Sequence, residues 1–134
     1  MRELRRTKPV HHLAVIRVLC AIPLLGIGTQ HLIGMAPMEP ILEGANFPLV
    51  SFFALAVPIL EILTGLALVM GFYARVGAFV VLGIMCGAIY AHVVHDWTDE
   101  PIILLPTAVL LGVLQVLWGG AGAFSSDLVA SSEG

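Results

Sequence analysis

Apolar residues run almost unbroken through four stretches of the chain, about Leu13 to Ile33, Leu49 to Phe72, Val76 to Val94 and Ile102 to Trp118. Each approaches the roughly 20 apolar residues that a helix needs to cross a bilayer, which predicts an all-α membrane protein with four transmembrane helices. The Gly71-Phe72-Tyr73-Ala74-Arg75 turn is too short for anything but an antiparallel return, so the spans form an antiparallel bundle. The first connection, Gly34 to Phe47, holds Pro37, Pro40 and Gly44 and is followed by Pro48. That density of prolines forbids a continuous helix and predicts a folded cap over one mouth of the bundle.

Polar residues inside the spans are few, and helical periodicity sorts them. At 100° per residue Arg17, Cys20, Ala21, Leu24, Gly28 and His31 share one face of the first span, and Ala54, Val57, Glu61, Gly65 and Leu68 share one face of the second. Both faces carry small residues that permit close approach, so they are expected to meet, with Glu61 near Arg17. Gln115, on the fourth span, is placed in the same intramembrane polar cluster. Gly83, Gly87 and Ala91 form a small-residue stripe on the third span, a packing surface within the bundle or between copies of a homo-oligomer.

Composition agrees with the pattern. Of 134 residues, 59 % are hydrophobic and 11 % charged, and the mean hydropathy is +1.01, which is far from soluble domains and leaves room for one transmembrane domain. The net charge of -3 says nothing about nucleic acid, and no basic patch or phosphate-cradling glycine loop points to nucleic acid or nucleotide chemistry, so no nucleic-acid partner is expected. Arg2, Arg5, Arg6, Lys8, Arg17 and Arg75 all fall at one face of the alternating spans, while the opposite connections carry only Glu39, Glu43, Asp96, Asp99 and Glu100. The positive-inside rule then puts both termini in the cytoplasm of a multi-pass plasma-membrane protein. The basic amino terminus imitates a secretory signal, but the apolar run extends to Ile33 without a convincing cleavage site, and it is read as a retained span. Cys20 and Cys86 form no CxxC pair and read as small core residues. Trp97 and Trp118, near span ends, suit interfacial anchoring.

Glu61 is the lone carboxylate of the second span. Fourteen Leu, Ile, Val and Phe residues surround it, favouring insertion by at most roughly 4 to 8 kcal/mol against roughly 2.5 to 3.5 kcal/mol for a central charge. The span still inserts, and Glu61 is either a functional group or a carboxyl that orients helices. Pro58, one turn earlier, frees the Ala54 carbonyl and can open a polar pocket there. A second cluster, Gln30, His31, His92, His95 and Asp96, lies at the opposite end from the arginines. Its histidines could bind a metal, ligate haem or relay protons to a quinone, but no metal-ligand spacing specifies one, and half-solvated interface histidines remain the plainer reading.

Several of these residues carry a resemblance. Arg17 followed by Gly28-Thr-Gln-His31-Leu, the block from Glu61 through Gly65 to Gly71 with Arg75 and Ala78, and the Gly120-Ala-Gly122-Ala-Phe-Ser125-Ser-Asp127 tail together resemble the DoxX family of four-helix membrane proteins. The family often has lysine after the first glycine, where this chain has His31. The resemblance implies a link to quinone-coupled thiosulfate oxidation or to membrane complexes that handle thiol and superoxide stress. It carries over Arg17, Glu61 and the Gly120 to Asp127 tail as family positions. Three readings follow. The chain is a subunit of a membrane redox complex, without a redox cofactor of its own, holding a quinone while soluble redox enzymes dock at the cytoplasmic face. Alternatively it is a proton-coupled transporter using Glu61, or a non-catalytic scaffold or assembly factor.

Overall fold

The computed structural model describes residues 2–95 and 103–132, and among them every regular element is a helix. After a single turn, α1 (Arg2–Arg5), come α2 (His11–Leu32), α3 (Glu39–Gly44), α4 (Val50–Met70), α5 (Ala74–Val94), α6 (Leu104–Gly119) and α7 (Ser126–Ser132). Three of them, α2, α4 and α5, are long and apolar enough to cross a membrane; α6 is a shorter apolar helix. At 1.5 Å per residue the three span roughly 31 to 33 Å and α6 roughly 24 Å. Their surfaces carry many exposed large hydrophobic side chains, among them Leu19, Ile22, Leu55, Leu63, Phe79 and Leu111. Helices apolar on every side need lipid or more protein around them, as expected of a membrane protein.

The four long helices close a ring: α2 packs on α4 and α6, and α5 packs on the same two. Cys20, Leu24, Leu68, Ala78, Val81 and Val113 are at the centre of the buried core. Helix α4 stops at Gly71, whose φ of +62° and whose crowding by Ser125 and the Arg17 guanidinium leave no room for a side chain. The Phe72 N–H reaches back to the Ala67 carbonyl at 2.9 Å, closing the helix in the usual glycine-terminated manner. Tyr73, at φ +44°, turns the chain into α5.

Both termini fold onto this turn. The Asp127 carboxylate accepts from the Tyr73 and Ala74 N–H groups at 2.9 and 2.8 Å, so the first donors of α5 are capped from the far end of the sequence. Arg5 donates from Nε to the same carboxylate at 2.8 Å, and the Asp127 N–H donates to the Gly71 carbonyl at 3.0 Å. Gly120 and Gly122 have φ of +83° and +76°, and a side chain at either would strike the backbone of residues 6–14. These glycines let the tail run under the start of α2, where the Gly122 N–H donates to Thr7 Oγ1 and the Ala123 N–H to the Val10 carbonyl. Arg75 joins the same end, donating to the carbonyls of Glu3 and Trp118. Because α2 and α5 start at this turn end while α4 and α6 finish there, neighbouring helices run antiparallel.

At the opposite end, α3 forms a cap. Pro40 sits in its first turn, where its missing N–H costs nothing. Phe47 meets Phe53 and Tyr90 edge to face, and His95 Nε2 contacts the Ile41 carbonyl at 3.1 Å, tying the cap to α4 and α5. The connection that the prolines bar from continuous helix is thus a short helix between two turns.

Candidate functional site

Beneath the cap lies a cavity of about 640 Å³. Pro23, Leu24 and Ile27 of α2 form one wall, Val57, Leu60 and Glu61 of α4 a second, and Val80, Gly83 and Ile84 of α5 a third. Met38, Leu42 and Phe47 roof it, and Leu105, Pro106 and Val109 complete it from α6. Among the described residues three polar side chains reach the lining: Glu61, His31 and His92. Leu60 and Gly83, both in the lining, are exposed, so the cavity is not sealed.

Glu61 is the polar anchor of this space. It is 5 % exposed, and its Oε2 is buried without a hydrogen-bond partner. Gly28 of α2 places it: a Cβ there would sit 2.9 Å from the Glu61 Cβ and 3.1 Å from the Pro58 carbonyl. Gly65 does the same one turn on, where a Cβ would meet Leu25 at 2.9 Å. The close approach of α2 and α4 thus rests on both glycines. An unpaired acceptor in an apolar cavity costs stability unless something satisfies it, and a ligand is one such group.

Arg17 and Glu61 share the α2–α4 seam but do not pair. The guanidinium, 2 % exposed, donates to the carbonyls of Leu68 at 2.5 Å, Val69 at 2.6 Å, Ala123 at 3.3 Å and Phe124 at 2.6 Å. Leu68 and Val69 are in the last turn of α4, where carbonyls run short of helical donors and carry the negative end of the helix dipole; the Leu68 carbonyl also accepts from the Gly71 N–H at 3.2 Å. The arginine is therefore drawn toward the turn end, about 10 Å along the axis from Glu61, with Asp127 as the nearby opposite charge. Gln115 does not join either residue: it is exposed, beside a second apolar groove of about 610 Å³ between α2 and α6. The expected cluster of Arg17, Glu61 and Gln115 is thus three separate sites.

The histidine group also separates. His31 and His92 line the cavity, with Nδ1 bonded to the carbonyls of Ala36 and Ala88 at 2.5 and 2.6 Å. His95 holds the cap, and the Gln30 side chain is exposed while its carbonyl accepts from Met35 and Ala36. Asp96, Trp97, Asp99 and Glu100 lie outside the described residues. Among the described residues no three His, Cys, Asp or Glu side chains gather as a metal-binding group.

Within the single chain the small-residue stripe of α5 faces the cavity at Gly83 and Gly87 and is not a tight helix contact there. Gly83 would place a Cβ with nothing within 4 Å, and Gly87 would meet only Phe47 at 3.8 Å. Both glycines line the cavity, and their small size makes its volume. The pocket expected beside Glu61 from Pro58 is larger and more apolar than that break predicts, because the pattern marks small residues without saying what faces them. The available signal was the coincidence of that stripe, the proline-rich cap and Glu61 in one half of the bundle.

The family model described as DoxX matches residues 12–96, which takes in α2 to α5, the cap and Glu61. The Gly120 to Asp127 tail lies beyond that match. No curated protein and no solved structure matches the chain.

Proposed function

The chain belongs to the DoxX family of membrane proteins, and we propose that it holds a lipid-soluble quinone-type carrier as a subunit of a membrane redox complex. The observation that carries this reading is the cavity: apolar, partly open, and provided with one buried carboxyl whose Oε2 has no partner. Glu61 and His31 orient the carrier's polar head, while the apolar walls take its ring and the start of its tail. In this reading electrons pass to or from a partner; among the described residues the side chains lining the cavity include no redox group.

In this reading four antiparallel helices span the plasma membrane with both termini in the cytoplasm. The gathering of Arg5, Lys8 and Arg75 at the turn end supports that orientation through the positive-inside rule. The same basic end, with α7, is the docking face for a soluble redox enzyme. A proton-coupled transporter would need Glu61 to be reached from both sides in turn. The buried core of Leu68, Ala78, Val81 and Val113 between Glu61 and the turn end favours a one-sided binding site instead. Titrating decylubiquinone into the protein in nanodiscs tests the reading: saturable binding near one per chain is expected. No binding, together with substrate-driven proton flux in proteoliposomes, would replace it with the transporter.

A further inference from the structure

The cavity and the groove between α2 and α6 share a wall. Pro23 of α2 and Leu105 and Val109 of α6 line both spaces, so single side chains separate the cavity of about 640 Å³ from the groove of about 610 Å³. Counted from the turn end, Pro23 and Leu105 lie about 18 and 21 Å along their helices, while Ile16 and Gln115, at the far end of the groove, lie about 8 and 6 Å along theirs. The groove therefore leads from the shared wall toward the turn end over about 10 to 15 Å, the reach of a medium alkyl chain. Its sides include Leu19 and Ile22 of α2 and Ala108 and Leu111 of α6, all exposed. Two of the wall residues can give way. Pro23 has no N–H for the Leu19 carbonyl, so α2 lacks a ladder bond at this level, and Leu105 is 43 % exposed, with room to change rotamer.

We propose that the α2–α6 groove is the second half of the carrier site and takes the hydrocarbon chain of a quinone-class ligand whose ring lies in the cavity, the chain passing between Pro23 and Leu105. The proposal rests on the reading that such a carrier occupies the cavity. A ring held there must lead its chain out into the bilayer, and the shared wall opens onto a second apolar space already formed. Lipid tails are as apolar as the groove, so the chain gains little affinity by entering it. The signature is therefore positional: a ligand chain fills the groove when its ring fills the cavity, whereas the acyl chain of a bulk lipid would fill the groove whatever the cavity holds.

The test uses a ubiquinone analogue with a diazirine at the far end of a decyl chain, photolysed with the protein in nanodiscs, and maps the modified peptides. Labelling is expected in α2 over residues 16–22 and in α6 over residues 108–115, displaced by the tail-less benzoquinone head. It should be lost in Gly83→Leu, which fills the cavity from α5, where a Cβ meets nothing within 4 Å, and leaves the groove unaltered. Ala108 lines the groove and not the cavity. Ala108→Trp should therefore abolish labelling of the groove while the tail-less quinone binds as tightly as before, which also shows that this variant is folded. Groove labelling that persists in Gly83→Leu, or that the tail-less quinone does not displace, marks a lipid-chain groove and overturns the proposal. Displaceable labelling beside Leu60 and Gly83 in place of the groove sends the chain out between α4 and α5; it overturns the proposal and leaves the carrier-binding reading standing. No binding of the tail-less quinone and no displaceable labelling anywhere overturn both.

Discussion

Gly28 lies directly against Glu61, with the position a Cβ would take at residue 28 only 2.9 Å from the Glu61 Cβ. The absent side chain brings α2 onto α4 at the level of the carboxyl and directs the rest of Glu61 into the cavity. Gly28→Ala should therefore force the helices apart, at a cost of about 1 to 3 kcal/mol, read as a lower unfolding temperature in detergent. Gly26→Ala is the control: a Cβ there meets nothing within 4 Å, and the change should be neutral or stabilise by up to about 1 kcal/mol. Equal effects of the two would mean that the seam does not depend on this contact.

Glu61 itself should be dispensable for folding. Its buried Oε2 has no partner, so Glu61→Gln and the straight-chain Glu61→Met should leave thermal stability unchanged or raise it by about 1 to 2 kcal/mol. Carrier binding should weaken in both. A large loss of stability in both variants would make the carboxyl a structural element and remove the argument from its unsatisfied oxygen.

Arg17 should behave in the opposite way. It donates to four carbonyls from two segments distant in sequence, and Arg17→Ala would take that donor from each, leaving the Leu68 carbonyl with the Gly71 N–H. A loss of about 3 to 5 kcal/mol is expected, with the tail beyond Gly120 becoming sensitive to protease. Arg17→Lys should recover only part of it, since an ammonium cannot reproduce the planar fork. Unchanged protease resistance in Arg17→Ala would contradict the clamp.

Asp127 caps α5 and pairs with Arg5, so its two roles can be separated by a double-mutant cycle. Asp127→Ala should cost about 1 to 3 kcal/mol, because two N–H donors lose their acceptor. Arg5→Ala should cost less, about 1 kcal/mol, as that side chain is partly solvated. In an Asp127→Ala background the Arg5 substitution should cost less, retaining only the contribution of its contacts with the Ser126 carbonyl and the Phe72 and Tyr73 rings. If both single changes cost the same and add fully, the pair is not coupled.

The long helices were legible in the chain because apolar runs bounded by Gly, Pro and charges leave few alternatives. Helices α2, α4 and α5 begin and end within about two residues of the apolar spans. Glu61 stood out for a similar reason, since a charge in such a run is costly. The partner of Arg17 was not legible: a face assignment at 100° per residue fixes direction around the axis but not height along it, and the orphan carbonyls ending α4 attract a guanidinium more strongly than a distant carboxyl does. The capping of α5 by Asp127 was hidden too, because it joins residues more than fifty positions apart and leaves no local pattern. Gly120 and Gly122 signal a special backbone, yet only the folded chain shows the amino-terminal segment passing over them.

Occupation of the cavity by a lipid-soluble carrier is tested most directly by photolabelling the protein in nanodiscs with an azidoquinone and mapping the modified peptides. Labelling concentrated in α4 around Val57 to Glu61 and in α5 around Val80 to Ile84 is predicted, competed by unlabelled decylubiquinol and lost in Gly83→Leu. Labelling confined to the α2–α6 groove beside Gln115, or spread over the lipid-facing surface without competition, would contradict the account.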